Sequence, residues 1–154
     1  MPSGRRPDTM LQTVLGVLPP MKKQRHPAGI WLARTVCLGS WAAVTVLLLV
    51  PNPAALVGLR HAPRPGYALL AHLGSFFLLS VLTLASRLPV SWPATLGVLV
   101  SYGAVVELLQ GFVPRRTVAF ADFVANTVGI VLGAAAYACA TWYWRRRSRN
   151  ARNA

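Results

Sequence analysis

Acidic residues are nearly missing from this sequence. Its 154 residues include 3 Asp and Glu against 16 Lys and Arg, which gives a formal net charge of +13. Cysteine is also scarce, since Cys37 and Cys139 stand alone without a paired Cys or Cys/His spacing. This excludes a disulfide framework and the common zinc motifs. We therefore expect both cysteines to be small buried hydrophobic residues, and we expect no metal site and no cofactor.

Hydrophobic residues are abundant, at 55% of the chain. High apolar content with few, one-signed charges is typical of membrane proteins. A net charge of this size also occurs in nucleic-acid-binding proteins, but there the basic residues follow one face together with aromatic residues. Here they cluster just outside the apolar runs. We therefore expect no nucleic-acid partner and take membrane lipids as the surroundings of the chain.

Four apolar segments each approach the roughly 20 residues that a helix needs to cross a bilayer. The sequence predicts an all-α polytopic membrane protein with four transmembrane helices in two hairpins, one membrane domain over 30–144 and basic tails over 1–29 and 145–154. A signal peptide is less favoured for the first segment, because its apolar part exceeds a usual signal core and no cleavage pattern follows. The translation start stays open among Met1, Met10 and Met21. The four segments are about 30–50, 66–86, 93–113 and 119–144.

The basic residues are distributed unevenly between the two sides of the predicted membrane domain. If both termini face the cytoplasm, 12 Lys and Arg lie inside and 4 lie outside. Positive charge on cytoplasmic segments is the main determinant of orientation. Tryptophan falls at the same predicted inner boundary, as at Trp31, Trp92 and Trp144. We expect a multi-pass protein of the cell membrane with both termini in the cytoplasm.

Polar side chains occur at one depth in three of the predicted spans. Glu107 and Gln110 share a face of the third span, and Asp122 and Asn126 share a face of the fourth. His72 reaches a similar depth from the second span. An unpaired charge at a helix centre in a membrane costs about 2.5–3.5 kcal/mol on insertion scales. The spacing therefore predicts that these side chains face one another, and that Glu107 and Asp122 come within hydrogen-bonding reach of Arg116 in the connecting turn or of His72.

Three glycines lie on the same helical faces as these polar residues: Gly103, Gly129 and Gly133. Small residues at this spacing let helices pack closely in lipid. We expect them to bring the third and fourth spans together.

The stretch "VELLQGFVPRRTVAFADFVANTVGIVLG" resembles the signature of the VanZ-like family of small bacterial membrane proteins, which is named for an accessory protein of teicoplanin resistance. Its Glu-x-x-Gln, Pro-x-Arg, Asp and Asn-x-x-Gly elements stand here at Glu107, Pro114, Asp122 and Asn126. The family's histidine on the preceding span corresponds to His72, although the Asp-Lys pair often found before it is replaced by Ala and Leu at 68–69. The resemblance covers about 66–135. It implies four membrane helices and a setting in the cell envelope.

Several functions are compatible with these features. We expect an envelope protein, non-catalytic rather than an enzyme, whose outward-facing polar pocket binds a polar headgroup, a lipid-linked wall intermediate or a glycopeptide, with a link to teicoplanin resistance. A membrane-embedded enzyme would use Glu107 or His72 as general base. A small transporter or a purely structural subunit remains open, as does homo-oligomerisation. The candidate pocket residues are His72, Glu107, Gln110, Arg116, Asp122 and Asn126.

Overall fold

A computed structural model describes residues 27–51, 66–114 and 116–153. These residues form helices and turns without a strand. All four helices are long and apolar enough to cross a membrane. The predicted all-helical fold with four spans is therefore confirmed. The helices are α1 (Pro27–Leu49), α2 (Tyr67–Ala85), α3 (Trp92–Gln110) and α4 (Phe120–Asn153).

The last helix is longer than the apolar pattern predicts. Residues 145–153, expected as a basic tail, continue α4 as one helix. Arginine and alanine are good helix formers, and neither Gly nor Pro occurs after Gly133 to end the helix. Within this extension, Arg152 Nε donates a hydrogen bond to the Ser148 carbonyl. At the other terminus, residues 1–26 of the expected tail lie outside the described residues, and residues 27–29 belong to the start of α1.

Successive helices run in opposite directions, as contacts between their ends show. Glu107 near the end of α3 lies beside His72 near the start of α2 and Asp122 near the start of α4. Gln110 at the end of α3 contacts Leu48 near the end of α1, so α1 runs parallel to α3. We call this end of the bundle, which also holds Glu107, the polar end. The opposite end is called the arginine end. Its open cleft of about 890 Å³ includes Arg87, Arg145, Arg149 and Arg152 in its lining.

Two glycines of α4 allow its backbone to lie against that of α2. A Cβ atom built on Gly129 would overlap the carbonyl oxygen of Leu73, and one built on Gly133 would lie 2.5 Å from the carbonyl oxygen of Phe77. The closest packing of α4 is thus with α2, whereas the sequence predicted α3 as the partner of these glycines. Gly103 of α3 faces both neighbours, since a Cβ there would lie 3.3 Å from Phe76 Cε1 of α2 and 3.5 Å from Asn126 Cβ of α4.

Polar side chains also join α1 to the rest of the bundle. Trp41 Nε1 donates to Thr83 Oγ1 at 3.0 Å, and the hydroxyls of Thr45 and Tyr102 lie 2.6 Å apart. In lipid, such interhelical hydrogen bonds replace part of the hydrophobic driving force that water would supply. The apolar core between these contacts consists of Val44, Leu48, Phe76, Leu79, Leu99, Val106 and Ile130.

The outer surface of the bundle is apolar. Large side chains such as Leu38, Leu70 and Phe112 are more than two-thirds exposed. Soluble monomers rarely expose contiguous apolar surface on this scale, so the surface fits a lipid environment. Cys37 is buried as expected, but Cys139 is exposed, and the prediction that both are buried is wrong. A small apolar side chain on a lipid-facing surface needs no burial inside the protein.

Candidate functional site

Three titratable side chains from three helices meet at the polar end. His72 of α2, Glu107 of α3 and Asp122 of α4 each offer one N or O atom, and these atoms all lie within 4.8 Å of one another. Asn126 of α4 contacts His72 directly. We call these four residues the polar cluster. All four stand within the first or last two turns of their helices.

His72 is held by Asn126 and faces Asp122. Its Nδ1 lies 3.0 Å from Asn126 Oδ1. An amide oxygen only accepts hydrogen bonds, so His72 Nδ1 carries the proton. The other ring nitrogen, Nε2, lies 3.8 Å from Asp122 Oδ2, which is beyond hydrogen-bond range. His72 is 1% exposed and Asn126 is fully buried, whereas the Asp122 side chain is 18% exposed.

Glu107 interacts with the start of α4. Its Oε1 accepts a hydrogen bond of 2.6 Å from the backbone N–H of Ala119, the residue before the first residue of that helix. Helix N-termini carry free N–H groups and a partial positive charge, and both favour a carboxylate. The second oxygen, Oε2, is buried and has no hydrogen-bond partner among the described residues. Glu107 is only 4% exposed, so one half of its carboxylate is left unpaired inside the protein.

Arg116 does not pair with either carboxylate. Its Nη2 donates to the carbonyl oxygen of Val50 at 3.2 Å. Among the described residues, the one basic side-chain nitrogen near a carboxylate oxygen is His72 Nε2, 3.8 Å from Asp122 Oδ2. Of the two predicted partners for the carboxylates, Arg116 is therefore wrong, whereas His72 lies beside Asp122. The physical reason is that Val50 follows the last residue of α1, where unpaired carbonyls and the helix dipole favour a cation.

Gln110 also lies apart from the polar cluster in its contacts. Its Nε2 donates to the Leu48 carbonyl at 2.9 Å and so ties the end of α3 to α1. The sequence placed Gln110 correctly on the face of Glu107, since both are buried. It gave no signal for the partners Leu48, Val50 and Ala119, because backbone groups become partners only through the tertiary arrangement.

The arrangement has a purely structural interpretation as well as a functional one. Asp122 stands in the first turn of α4 and Glu107 reaches the same helix start, so the helix dipole stabilises both charges. This interpretation accounts for one oxygen of Glu107. It does not account for the unpaired Glu107 Oε2 or for the unpaired, fully buried Asn126 Nδ2. Those atoms leave the polar cluster able to accept and donate further bonds.

Comparison with known proteins places the chain in a family. The sequence profile of the VanZ/LLP1 family matches residues 44–142. The match includes the whole polar cluster and extends beyond the stretch that carries the sequence resemblance, into α1 and along α4. No curated protein and no solved structure is matched by the chain. With four helices that can cross a membrane and a profile match over more than half of its length, the chain belongs to the VanZ/LLP1 family of multi-pass membrane proteins.

Proposed function

We propose that the protein binds the polar headgroup of an amphiphilic molecule of the cell envelope at the polar end of its helix bundle. The polar end then faces the outside of the cell, and both termini face the cytoplasm. A lipid-linked wall intermediate and a glycopeptide both have the required chemistry, namely a polar or anionic head that sits at the membrane surface. Glycopeptide susceptibility, including susceptibility to teicoplanin, is the phenotype that this function would alter.

The observation that carries the proposal is a set of buried polar atoms without partners in the part of the chain that the structure describes. At the polar end these atoms are Glu107 Oε2, Arg116 Nε and Asn126 Nδ2. Buried polar atoms are nearly always hydrogen-bonded in folded proteins, and one left unpaired costs about 1–3 kcal/mol. Two of the three are donors and one is an acceptor, so a bound headgroup with oxygens and hydroxyls would satisfy all of them.

Arg116 is the anion contact in this proposal. Its guanidinium is partly buried and uses Nη2 for the Val50 carbonyl. A guanidinium carries five N–H donors, and its planar fork suits a phosphate or carboxylate. Since Arg116 pairs with no carboxylate among the described residues, its charge is available to an anionic ligand at the mouth of the polar cluster.

Replacing Arg116 with alanine separates binding from structure. We expect Arg116→Ala to fold, because it removes one hydrogen bond worth about 0.5–1.5 kcal/mol, and to lose bound lipid or the glycopeptide phenotype. Lipid that co-purifies from native membranes is measured by native mass spectrometry, and folding is measured by thermal unfolding in detergent. Arg149→Ala, in the cleft at the arginine end, is the matched control and should keep both. If lipid and phenotype are lost only together with folded protein, the cluster is structural and the proposal fails.

A membrane-embedded enzyme is the second candidate function. It is favoured by the approach of His72, Glu107 and Asp122 within 4.8 Å, since a general base must lie close to the proton that it removes. Incubation of the purified protein with lipid extracts, followed by mass spectrometry of the lipids, distinguishes the two. Turnover that Glu107→Gln abolishes would favour the enzyme, whereas retention of intact lipid favours binding alone.

A further inference from the structure

The three titratable residues of the polar cluster offer one nitrogen and two carboxylate groups that could bind a metal ion. Headgroup binding does not require this combination. We propose that His72, Glu107 and Asp122 together bind one divalent transition-metal cation of the Zn²⁺ or Mn²⁺ type. Sequence spacing predicts no metal site, because metal motifs are recognised by the spacing of their ligands along one segment. Here the three donors come from three different helices, and only the fold brings them together.

The distances between the donor atoms fit a site with one shared cation. One donor atom of each residue lies within 4.8 Å of the other two, and His72 Nε2 lies 3.8 Å from Asp122 Oδ2. Two ligands of one tetrahedral Zn²⁺ ion stand about 3.3 Å apart, given bond lengths of about 2.0 Å. The separation of His72 Nε2 and Asp122 Oδ2 exceeds this by about 0.5 Å, and the widest separation in the set exceeds it by up to about 1.5 Å. Side-chain rotations bring the three donors together when the cation binds. A direct hydrogen bond, by contrast, would require a closer approach.

The hydrogen bond between His72 and Asn126 leaves the imidazole ready to bind a cation. Because Nδ1 donates to Asn126 Oδ1, the neutral ring has its lone pair on Nε2, the nitrogen that faces Asp122. Histidines that bind metals usually donate their second ring N–H to a carbonyl or carboxylate, which fixes the tautomer and the ring orientation. Asn126 supplies this support. A lone pair facing a carboxylate repels it unless a positive charge lies between them.

Burial makes a cation more favourable still. Glu107 is 4% exposed and its Oε2 has no hydrogen-bond partner in the described ranges. Two ionised carboxylates and a neutral imidazole carry a charge of about −2, which a divalent cation neutralises. A buried charge without compensation is unfavourable. Asp122 is more exposed, at 18%, so a cation can enter from its side and keep an open position for water or a ligand.

The donor set also selects the type of cation. One imidazole nitrogen and two carboxylate oxygens suit Zn²⁺, Mn²⁺ or Fe²⁺, whereas Mg²⁺ and Ca²⁺ prefer oxygen alone. Both described cysteines lie away from the cluster. The Cys37 thiol donates a hydrogen bond to Thr83 Oγ1 near the arginine end, and Cys139 is exposed. Without a thiol ligand, Cu⁺ is disfavoured.

Metal binding is tested on the full chain, purified in detergent with an affinity tag that contains no histidine. Metal is removed with a chelator, and Zn²⁺, Mn²⁺ and Mg²⁺ are each titrated alone by calorimetry, with elemental analysis for stoichiometry. We expect one Zn²⁺ or Mn²⁺ per chain and at least about tenfold weaker binding of Mg²⁺. Both His72→Ala and Asp122→Asn should weaken binding at least about tenfold. Because the metal is the only titrant, failure of headgroup binding leaves this result unchanged.

Matched variants keep the proposal falsifiable. His61→Ala removes another of the 3 histidines in the chain and should leave binding unchanged. Glu107→Gln keeps an acceptor for the Ala119 N–H and should fold, with loss of metal. The competing explanation is a proton on His72 Nε2 that forms an ion pair with Asp122, and it predicts no stoichiometric metal. Absence of bound Zn²⁺ and Mn²⁺ in the wild type, or equal loss in His61→Ala, would overturn the proposal.

Discussion

Asn126 shows how a single buried polar residue controls its neighbours in a membrane helix. It is fully buried, and its side-chain oxygen accepts a hydrogen bond from the Nδ1–H group of His72. Without that acceptor, the imidazole would keep a buried donor with nothing to bind and would lose its fixed orientation toward Asp122. Asparagine at this position therefore sets the geometry of His72 as well as joining α2 to α4.

We predict that Asn126→Ala destabilises the protein by about 1–3 kcal/mol, because it leaves His72 Nδ1 buried and unpaired. Thermal unfolding in detergent, followed by circular dichroism, measures the effect. Thr127→Ala is the matched control, since the Thr127 hydroxyl bonds only to the Phe123 carbonyl one turn earlier in the same helix. It should cost less than about 0.5 kcal/mol. Equal effects of the two substitutions would show that the bond between His72 and Asn126 contributes little.

At the residue scale, the sequence predicts positions better than partners. Helical periodicity places Glu107 and Asp122 on inward faces at one depth, and both come within reach of His72. Periodicity does not reveal which group each side chain binds. Glu107 binds the Ala119 amide and Arg116 binds the Val50 carbonyl, because helix ends offer free backbone groups that compete with side-chain charges. Such partners depend on how the helix ends meet, which no local pattern records.

At the scale of the elements, apolar length predicts the four helices and their order. Apolar length does not give the length of α4, which continues through residues 145–153 because helix formation depends on backbone propensity as well as hydrophobicity. The spacing of the glycines indicates close packing but does not identify the partner helix of each one, since Gly103 lies beside both Phe76 of α2 and Asn126 of α4. Gly129 and Gly133 meet the backbone of α2, and α2 and α4 thereby form the closest helix pair of the bundle.

Gly129 gives the sharpest test of that helix pair. We predict that Gly129→Ala destabilises the protein by about 1–3 kcal/mol through overpacking, because the added methyl group meets backbone atoms of Leu73 and Phe77. Backbone cannot move aside as a side-chain end can. Gly97→Ala is the control, since nothing lies within 4 Å of a Cβ there. It should be neutral or stabilise α3 by about 0.5–1 kcal/mol. Unfolding in detergent and chain abundance in membranes measure both.

The whole molecule combines an apolar exterior with two chemically different ends. At the arginine end, aromatic side chains accompany the cations, and the Arg146 guanidinium lies 5.3 Å from the ring centroid of Trp142. Arginine and tryptophan are both favoured at the interface between headgroups and water. At the polar end, carboxylates and amides are buried between helices. This asymmetry distinguishes the two membrane surfaces by chemistry, which the charge count of the sequence already indicates.

The orientation of the molecule can be tested with topology reporters. We predict that alkaline phosphatase fused after Asn150 is inactive, because the arginine end, with Arg145 and Arg149, should remain in the cytoplasm. The same enzyme inserted after Arg60, between α1 and α2, should be active, since that connection belongs to the opposite side. A fluorescent protein that folds only in the cytoplasm should give the reverse pattern at both sites. Phosphatase activity at Asn150 without activity at Arg60 would show the opposite orientation. The polar cluster would then face the cytoplasm, where a wall precursor could reach it but an external glycopeptide could not.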